Sequence, residues 1–218
     1  MQVVKTTDIQ NDLREFNSLF SLIAYRHEPS RVFDDFLTIV ICCLARQTQE
    51  KLYHETIKNY NKEELNNFAK LLGSLMMYYD REISVGDWCD PLGDYYEAIA
   101  WKSKKKGFGQ FFTPKAICSM MAQMTQKKND FGKTINEPAC GSGRLILASN
   151  HQAEGNKFIA QDLDHVCIKM CVINCAFHGI RCDAFHMDSL RITDPYNTYV
   201  VNHDYYKTET PCIFKISP

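Results

Sequence analysis

The chain has 218 residues, of which 45% are hydrophobic, 12% aromatic and 23% charged, with a formal net charge of -1. That length holds one large domain or two small ones, and the composition excludes disordered, collagen-like and fibrous chains. The near-zero charge excludes a wholly basic nucleic-acid arm but not a local basic patch.

No stretch approaches the roughly 18 consecutive apolar residues that a membrane span needs; the longest clean run covers residues 38–45. The N-terminal Met-Gln-Val-Val-Lys-Thr-Thr-Asp carries neither the apolar core nor the cleavage signature of a signal peptide. Ten cysteines are many, but Cys42 and Cys43 are adjacent and others sit in apolar segments. Reduced thiols of a cytoplasmic protein are expected, not a disulfide framework.

The first hundred residues read as helices. Phe33, Phe36, Leu37, Val40, Ile41 and Leu44 recur at helical spacing and place an amphipathic helix over 31–46. Leu65, Phe68, Leu71, Leu72, Leu75, Met76 and Tyr79 repeat the pattern after Asn61, a helix cap with Glu64 three residues on. Weaker helical patterns cover 8–25 and 92–103. The character changes near residue 105, where Lys102, Lys104, Lys105 and Lys106 are followed by Gly107-Phe108-Gly109. Beyond it, strands at 134–137, 157–161, 182–187, 198–202 and 212–216 are expected among helices at 114–126, 143–150 and 165–178. Such alternation implies a parallel sheet with right-handed crossovers. Two domains follow: a helical one over 1–104 and an α/β one over 105–218.

The sharpest local feature is Glu137-Pro138-Ala139-Cys140-Gly141-Ser142-Gly143-Arg144, between a strand and a helix. Two glycines two apart let backbone approach a ligand and permit positive φ, and the helix that follows offers free N–H groups. On these residues alone an ordinary strand-to-helix turn explains the pattern equally well. Asp162 ends the next strand, about 20 residues on, where a carboxylate can accept both hydroxyls of a ribose. Asp164 reads as the cap of the helix beginning at His165. Asp188 ends the third strand, where an adenine contact and a turn-forming role are equally open.

Taken together, Gly109-Gln110-Phe111-Phe112-Thr113-Pro114 followed by Glu137-Pro138-Ala139-Cys140-Gly141-Ser142-Gly143 resembles the modification subunit of type I restriction–modification systems. These are amino-methylating DNA methyltransferases that use S-adenosylmethionine. Asp90-Pro91-Leu92-Gly93-Asp94-Tyr95-Tyr96-Glu97 resembles the helix that precedes the first motif in that family. The resemblance runs from about Asp90 to Leu190. It implies a Rossmann-like, S-adenosylmethionine-dependent methyltransferase core, here truncated, behind an α-helical N-terminal domain.

Carried over, the resemblance puts Phe111, Thr113 and Pro114 over the methionine end of the cofactor. Glu137, Pro138, Cys140, Gly141 and Gly143 form its turn. Asp162 holds the ribose with Leu163 against the adenine, and Asp188, with Ser189 beside it, reads the adenine amino group. Members that methylate adenine N6 carry Asn-Pro-Pro-Tyr or Asn-Pro-Pro-Phe after the fourth strand. The Asn oxygen and the first Pro carbonyl localise the lone pair of a poor nucleophile, and the aromatic ring stacks on the flipped base. This chain has no Pro-Pro; Asn202-His203-Asp204-Tyr205 is the nearest match. Asn202 and Tyr205 are therefore the candidate catalytic pair.

Residues 134–218 are too few for the seven-stranded sheet of such enzymes and leave no target-recognition segment. A fragment, a reduced homologue or a chain completed by a partner would account for that. Two functions follow. One is adenine-N6 methylation of DNA. The other is a catalytically silent cofactor- or DNA-binding module that assembles with a complete methyltransferase or a specificity subunit. Lys104, Lys105 and Lys106 serve either as a solvated helix end or as DNA phosphate contacts. Cys167, Cys171 and Cys175 recur every four residues on one helix and spread over about 12 Å, too far for one zinc ion. They read as small core residues, and no metal is expected.

Overall fold

A computed structural model describes residues 4–5, 9–102, 111–128, 130–192 and 194–216, the side chains of 100–102 excepted. Five helices come first: α1 (Arg14–Ile23), α2 (Pro29–Leu44), α3 (Glu50–Ile57), α4 (Lys62–Ser84) and α5 (Pro91–Lys102). Then follow α6 (Lys115–Thr125), β1 (Thr134–Glu137), α7 (Arg144–Gln152), β2 (Lys157–Asp162), α8 (His165–Phe177), β3 (Arg181–His186), β4 (Asn197–Val201), α9 (Tyr205–Thr208) and β5 (Ile213–Ile216). The expected boundary near residue 105 falls outside the described residues, as do Lys104, Lys105 and Lys106. One apolar core runs from Val4 to Ile213 through both halves of the chain.

Local chemistry sets the helix ends. Pro29 opens α2, whose first turn is capped by Glu28 accepting from the Arg31 N–H at 3.0 Å. Asn61 and Glu64 form a reciprocal capping box at the start of α4, with bonds of 3.0 and 2.8 Å. Asp164 caps α8 by accepting from Val166 N–H at 2.8 Å. α3 was not expected from the sequence; it has no buried residue and hence no apolar stripe to read.

α8 is apolar around most of its surface because it is enclosed along most of its length. It packs on β2 and β3, while α2 and α5 close over it. Cys167, Cys171 and Cys175 are buried there among Ile168, Val172 and Ile173. Lys169 ties α8 to α2 through Asp34 at 2.6 Å and Thr38 at 2.9 Å. The helical half has its own aromatic centre, where Tyr95 meets Phe16 and Phe20 edge-on at 4.8 and 5.3 Å.

The sheet has the order β1-β2-β3-β4-β5. β1, β2 and β3 are parallel, each reached through a helix. The expectation of a parallel sheet stops there: β4 is antiparallel to β3, and β5 antiparallel to β4. The connection over 187–196 is shorter than the dozen or so residues that a parallel crossover needs, so the chain folds straight back. The register aligns Ile135, Phe158, Cys182, Val201 and Ile213 in one row against the core. Among the described residues no helix is long and apolar enough to cross a membrane.

Candidate cofactor site

The three parallel strands end together at one edge of the sheet, with Glu137, Asp162 and His186 at their tips. The turn after β1 doubles back there. Cys140 N–H donates to the Gln161 carbonyl at 2.9 Å, and Gly143 N–H to the Cys140 carbonyl at 2.8 Å. Gly141 and Gly143 sit at φ +54° and +97°, in the left-handed region. A Cβ on Gly141 would lie 2.9 Å from the Phe112 ring, and one on Gly143 3.1 Å from Cys171 Sγ. A side chain at Gly141 would require the Phe112 ring to shift, and one at Gly143 would crowd Cys171.

Asp162 reaches across to this turn. Its Oδ2 accepts from Gly141 N–H at 2.8 Å, and its Oδ1 accepts from Asp164 N–H at 2.9 Å. The spacing noticed in the sequence is thus a physical contact. Partial burial pushes the Asp162 carboxyl above the usual carboxylate range, against the pull of those two amides. Each oxygen keeps a lone pair for a further donor.

A buried polar hub fixes the turn from below. Asp90, at the head of α5, accepts from Ser142 Oγ at 2.5 Å, Arg144 Nε at 2.7 Å, Asn174 Nδ2 at 2.7 Å and Gly93 N–H at 2.8 Å. Arg144 also pairs with Asp94 at 2.7 Å and Glu97 at 3.0 Å. Its guanidinium lies 5.3 Å from the centre of the Phe112 ring. Glu97 in turn accepts from Phe112 N–H at 2.8 Å. α5 and the residue at its head therefore hold both the turn and the segment that covers it. Sequence reading did not assign roles to Asp90, Asp94, Glu97, Arg144 or Asn174. The signal was present, because carboxylates at 90, 94 and 97 share one helix face and call for a cation.

Between turn and covering segment lies a cavity of 210 Å³. Phe111, Phe112 and Thr113 line one side, Ala139 to Ser142 the other, with Asp162 and Cys167 at the floor. Phe111, Thr113, Cys140, Gly141 and Asp162 are thus brought together as expected, and Gly143 closes the same turn. Pro114 is the cap of α6. Glu137 accepts from Ala139 N–H at 3.2 Å and lines a second cavity of 380 Å³ beside α6 and α7. Burial raises its carboxyl as well.

Leu163 stands exposed beyond Asp162. Asp188 accepts from Leu190 and Arg191 N–H, both at 3.1 Å, which is the turn-forming role. Ser189 Oγ ties that turn back to the Pro138 carbonyl at 2.8 Å. A glycine cradle packed tightly against Phe112 and Cys171, an aromatic cover and a half-buried carboxylate make a donor set that fits an adenosyl cofactor with a cationic sulfur.

Asn202 and Tyr205 are not brought to this cavity, which corrects the expected catalytic pair. Because β4 runs antiparallel, Val201 lies opposite Cys182, near the start of β3. Asn202 therefore sits at the far edge of the sheet and is wholly buried. Its Nδ2 donates to the carbonyls of Cys175, Ala176 and Ile180 at 3.1 to 3.2 Å, and its Oδ1 accepts from Cys212 N–H at 3.0 Å. The Tyr205 ring packs against Gly179, where a Cβ would meet it at 2.6 Å. Both residues join the end of α8 to the β4–β5 connection.

Over 100 residues the chain is 30% identical to the type I restriction enzyme MpnII methylase subunit of Mycoplasma pneumoniae, covering 42% of this chain and 18% of that one. Over 164 residues it is 29% identical to the type I restriction enzyme MjaVIII methylase subunit of Methanocaldococcus jannaschii, covering 71% and 28%. The chain thus spans less than a third of the length of either relative. A solved type I restriction-modification system methyltransferase subunit from Streptococcus thermophilus aligns with a TM-score of 0.37 and 20% identity, over 79% of this chain and 38% of that one. The family described as N-6 DNA Methylase matches residues 88–207, from the hub carboxylates through the cofactor turn to the β4–β5 connection. With more than half of its length in that match, the chain belongs to the N-6 DNA methylase family.

Proposed function

We propose that this chain binds S-adenosylmethionine at the edge of β1 and β2 and serves adenine-N6 methylation of DNA in a type I restriction–modification-like assembly. The observation that carries the reading is the Gly141–Asp162 contact under the Phe112 cover. The cofactor would supply an electrophilic methyl group on a sulfonium. Asp162 would accept from the ribose, and Phe111 and Thr113 would enclose the methionine end. Leu163 and Asp188 would meet the adenine, and Glu137 would add negative charge near the sulfonium.

Asn202 lies on the wrong edge to orient a base. The base-orienting groups would therefore come from outside the described residues, from a longer chain or from a partner. The same observation favours a second reading, a cofactor-binding module silent in transfer until it assembles. DNA and a specificity subunit are the partners proposed.

Calorimetric titration with S-adenosylmethionine tests the first step. Micromolar dissociation, about -8 kcal/mol, is expected. The absence of heat in a demonstrably folded sample would end the cofactor reading. Transfer of labelled methyl to unmethylated DNA, with the chain alone and with a specificity subunit added, separates the two readings. Transfer by the chain alone would overturn the need for outside groups.

A further inference from the structure

We propose that His203, Asp204 and Cys212 form a zinc site at the edge of the sheet opposite the cofactor cavity. Three donor atoms of different type converge there. Cys212 Sγ lies 3.8 Å from His203 Nδ1 and 3.5 Å from Asp204 Oδ1, and those last two atoms are 3.8 Å apart. The point equidistant from all three is about 2.1 Å from each, within the span of zinc–oxygen, zinc–nitrogen and zinc–sulfur bonds. A thiolate, an imidazole and a carboxylate together select zinc over magnesium or calcium, which take oxygen donors. Among the described residues this is the group of His, Cys, Asp and Glu side chains close enough to share one ion.

The donors rest on rigid support. Asn202 precedes His203 and is pinned by four side-chain hydrogen bonds, one of them to Cys212 N–H. Asn202 N–H also donates to the Cys212 carbonyl at 2.9 Å, which fixes the two ligand-bearing segments to each other. The His203 ring packs edge-on against Phe214 at 5.2 Å. Arg46, in the turn after α2, holds Asp204 through both guanidinium nitrogens, at 2.8 Å on Oδ2 and 3.1 Å on Oδ1. That pairing orients the carboxylate and leaves a lone pair of Oδ1 directed at the other two donors, as supporting partners of metal-bound carboxylates do.

Three protein ligands leave a fourth position for water on the solvent side, since half of the His203 side chain is exposed. Binding replaces the thiol proton by the metal: the S–H bond breaks, the Zn–S bond forms and the proton goes to solvent. The ion would fasten the β4–β5 connection, which in this chain stands in place of the base-orienting motif. It does not depend on the cofactor reading.

Cobalt(II) reports such a site directly. The purified chain should bind one equivalent, with a thiolate-to-cobalt charge-transfer band and the visible bands of a tetrahedral ion, and zinc should displace it. Cys212→Ser should abolish the charge-transfer band. His203→Ala, a change at a half-exposed side chain, should weaken zinc more than about 100-fold in a sample shown to be folded, beyond the loss of a supporting partner. Cys43→Ser, which removes an exposed thiol elsewhere, should change nothing. Absence of these bands, an unchanged metal affinity in His203→Ala, or loss of the bands in Cys43→Ser would overturn the assignment.

Discussion

Asp90 Oδ2 and Arg144 Nε form an ion pair of 2.7 Å from which water is almost wholly excluded. Asp90 belongs to the helical half of the chain and Arg144 to the first turn of the helix after the cofactor turn, so this pair joins the two halves. Desolvation costs a buried pair much of its Coulombic gain, and the larger effect comes from removing one partner. Asp90→Ala leaves the guanidinium without its most buried carboxylate and strips acceptors from Ser142, Asn174 and Gly93. The expected cost is about 3–5 kcal/mol, a fall in Tm of roughly 10 °C for a chain of this size. Thermal unfolding followed by circular dichroism measures it, and a Tm within two or so degrees of the parent would show that the pair is dispensable.

Asp162 serves the fold and the cofactor at once. Asp162→Ala removes the acceptor of Gly141 and Asp164 N–H, at an expected cost of about 2 kcal/mol in stability. It should weaken S-adenosylmethionine more than about tenfold, because a charge-assisted bond to the ribose goes with it. Asp162→Asn keeps one acceptor oxygen for the turn, so stability should recover more than affinity does. Calorimetry on both variants decides: unchanged affinity in Asp162→Ala would remove the ribose role and leave a purely structural carboxylate.

Two half-buried groups give stability opposite slopes in acid. Burial first, then the neighbouring Asp90 charge, pushes Asp94 up to about 6 from an ordinary 3.8. With its folded value raised, its contribution is complete below about pH 4 and lost as pH rises through 6. Burial holds His178 down at about 4. Its neutral ring bonds the Asn174 carbonyl through Nδ1 at 2.8 Å and accepts from Cys89 N–H at Nε2 at 3.2 Å. With its folded value depressed, its contribution is complete above about pH 6.5 and lost as pH falls through 4. Asp94→Asn should therefore raise stability near pH 7 relative to the parent and remove the share of the acid dependence that Asp94 contributes. Urea unfolding near pH 5 and pH 7 reads both effects. A variant weaker than the parent near pH 7 would mean that the attraction to Arg144 outweighs the cost of burial.

Features set by neighbours in the chain were legible in the sequence. The Asn61–Glu64 box, the Asp164 cap and the extent of β1 depend on residues within one turn or strand, and the structure places each where it was expected. The spacing of Gly141 and Asp162 was legible because a fixed βαβ unit separates them, though the hydrogen bond between them was not. The direction of β4 was not. Its residues read equally well as a parallel or an antiparallel strand, and the connection over 187–196 decides between them by its length. The Arg144 hub escaped for a related reason: its carboxylates lie some fifty positions upstream, and only folding brings α5 against the turn.

Asn202 provides the last contrast. A residue that orients a flipped base would tolerate Ala in the fold and lose transfer. Here the two N–H donors of its Nδ2 are shared among three carbonyls and its Oδ1 accepts from one amide, with the residue wholly buried and at φ +54°. Asn202→Ala leaves all four groups without that partner, and a β-carbon alone is less tolerated than Asn in the left-handed region. The expected loss is about 3 kcal/mol or more in stability, with affinity for S-adenosylmethionine unchanged in the folded fraction, because the cavity lies at the opposite edge of the sheet. Denaturant unfolding and calorimetry on the same preparation test both halves. A variant of parental stability with weakened cofactor binding would place Asn202 at the cofactor edge and reverse the direction assigned to β4.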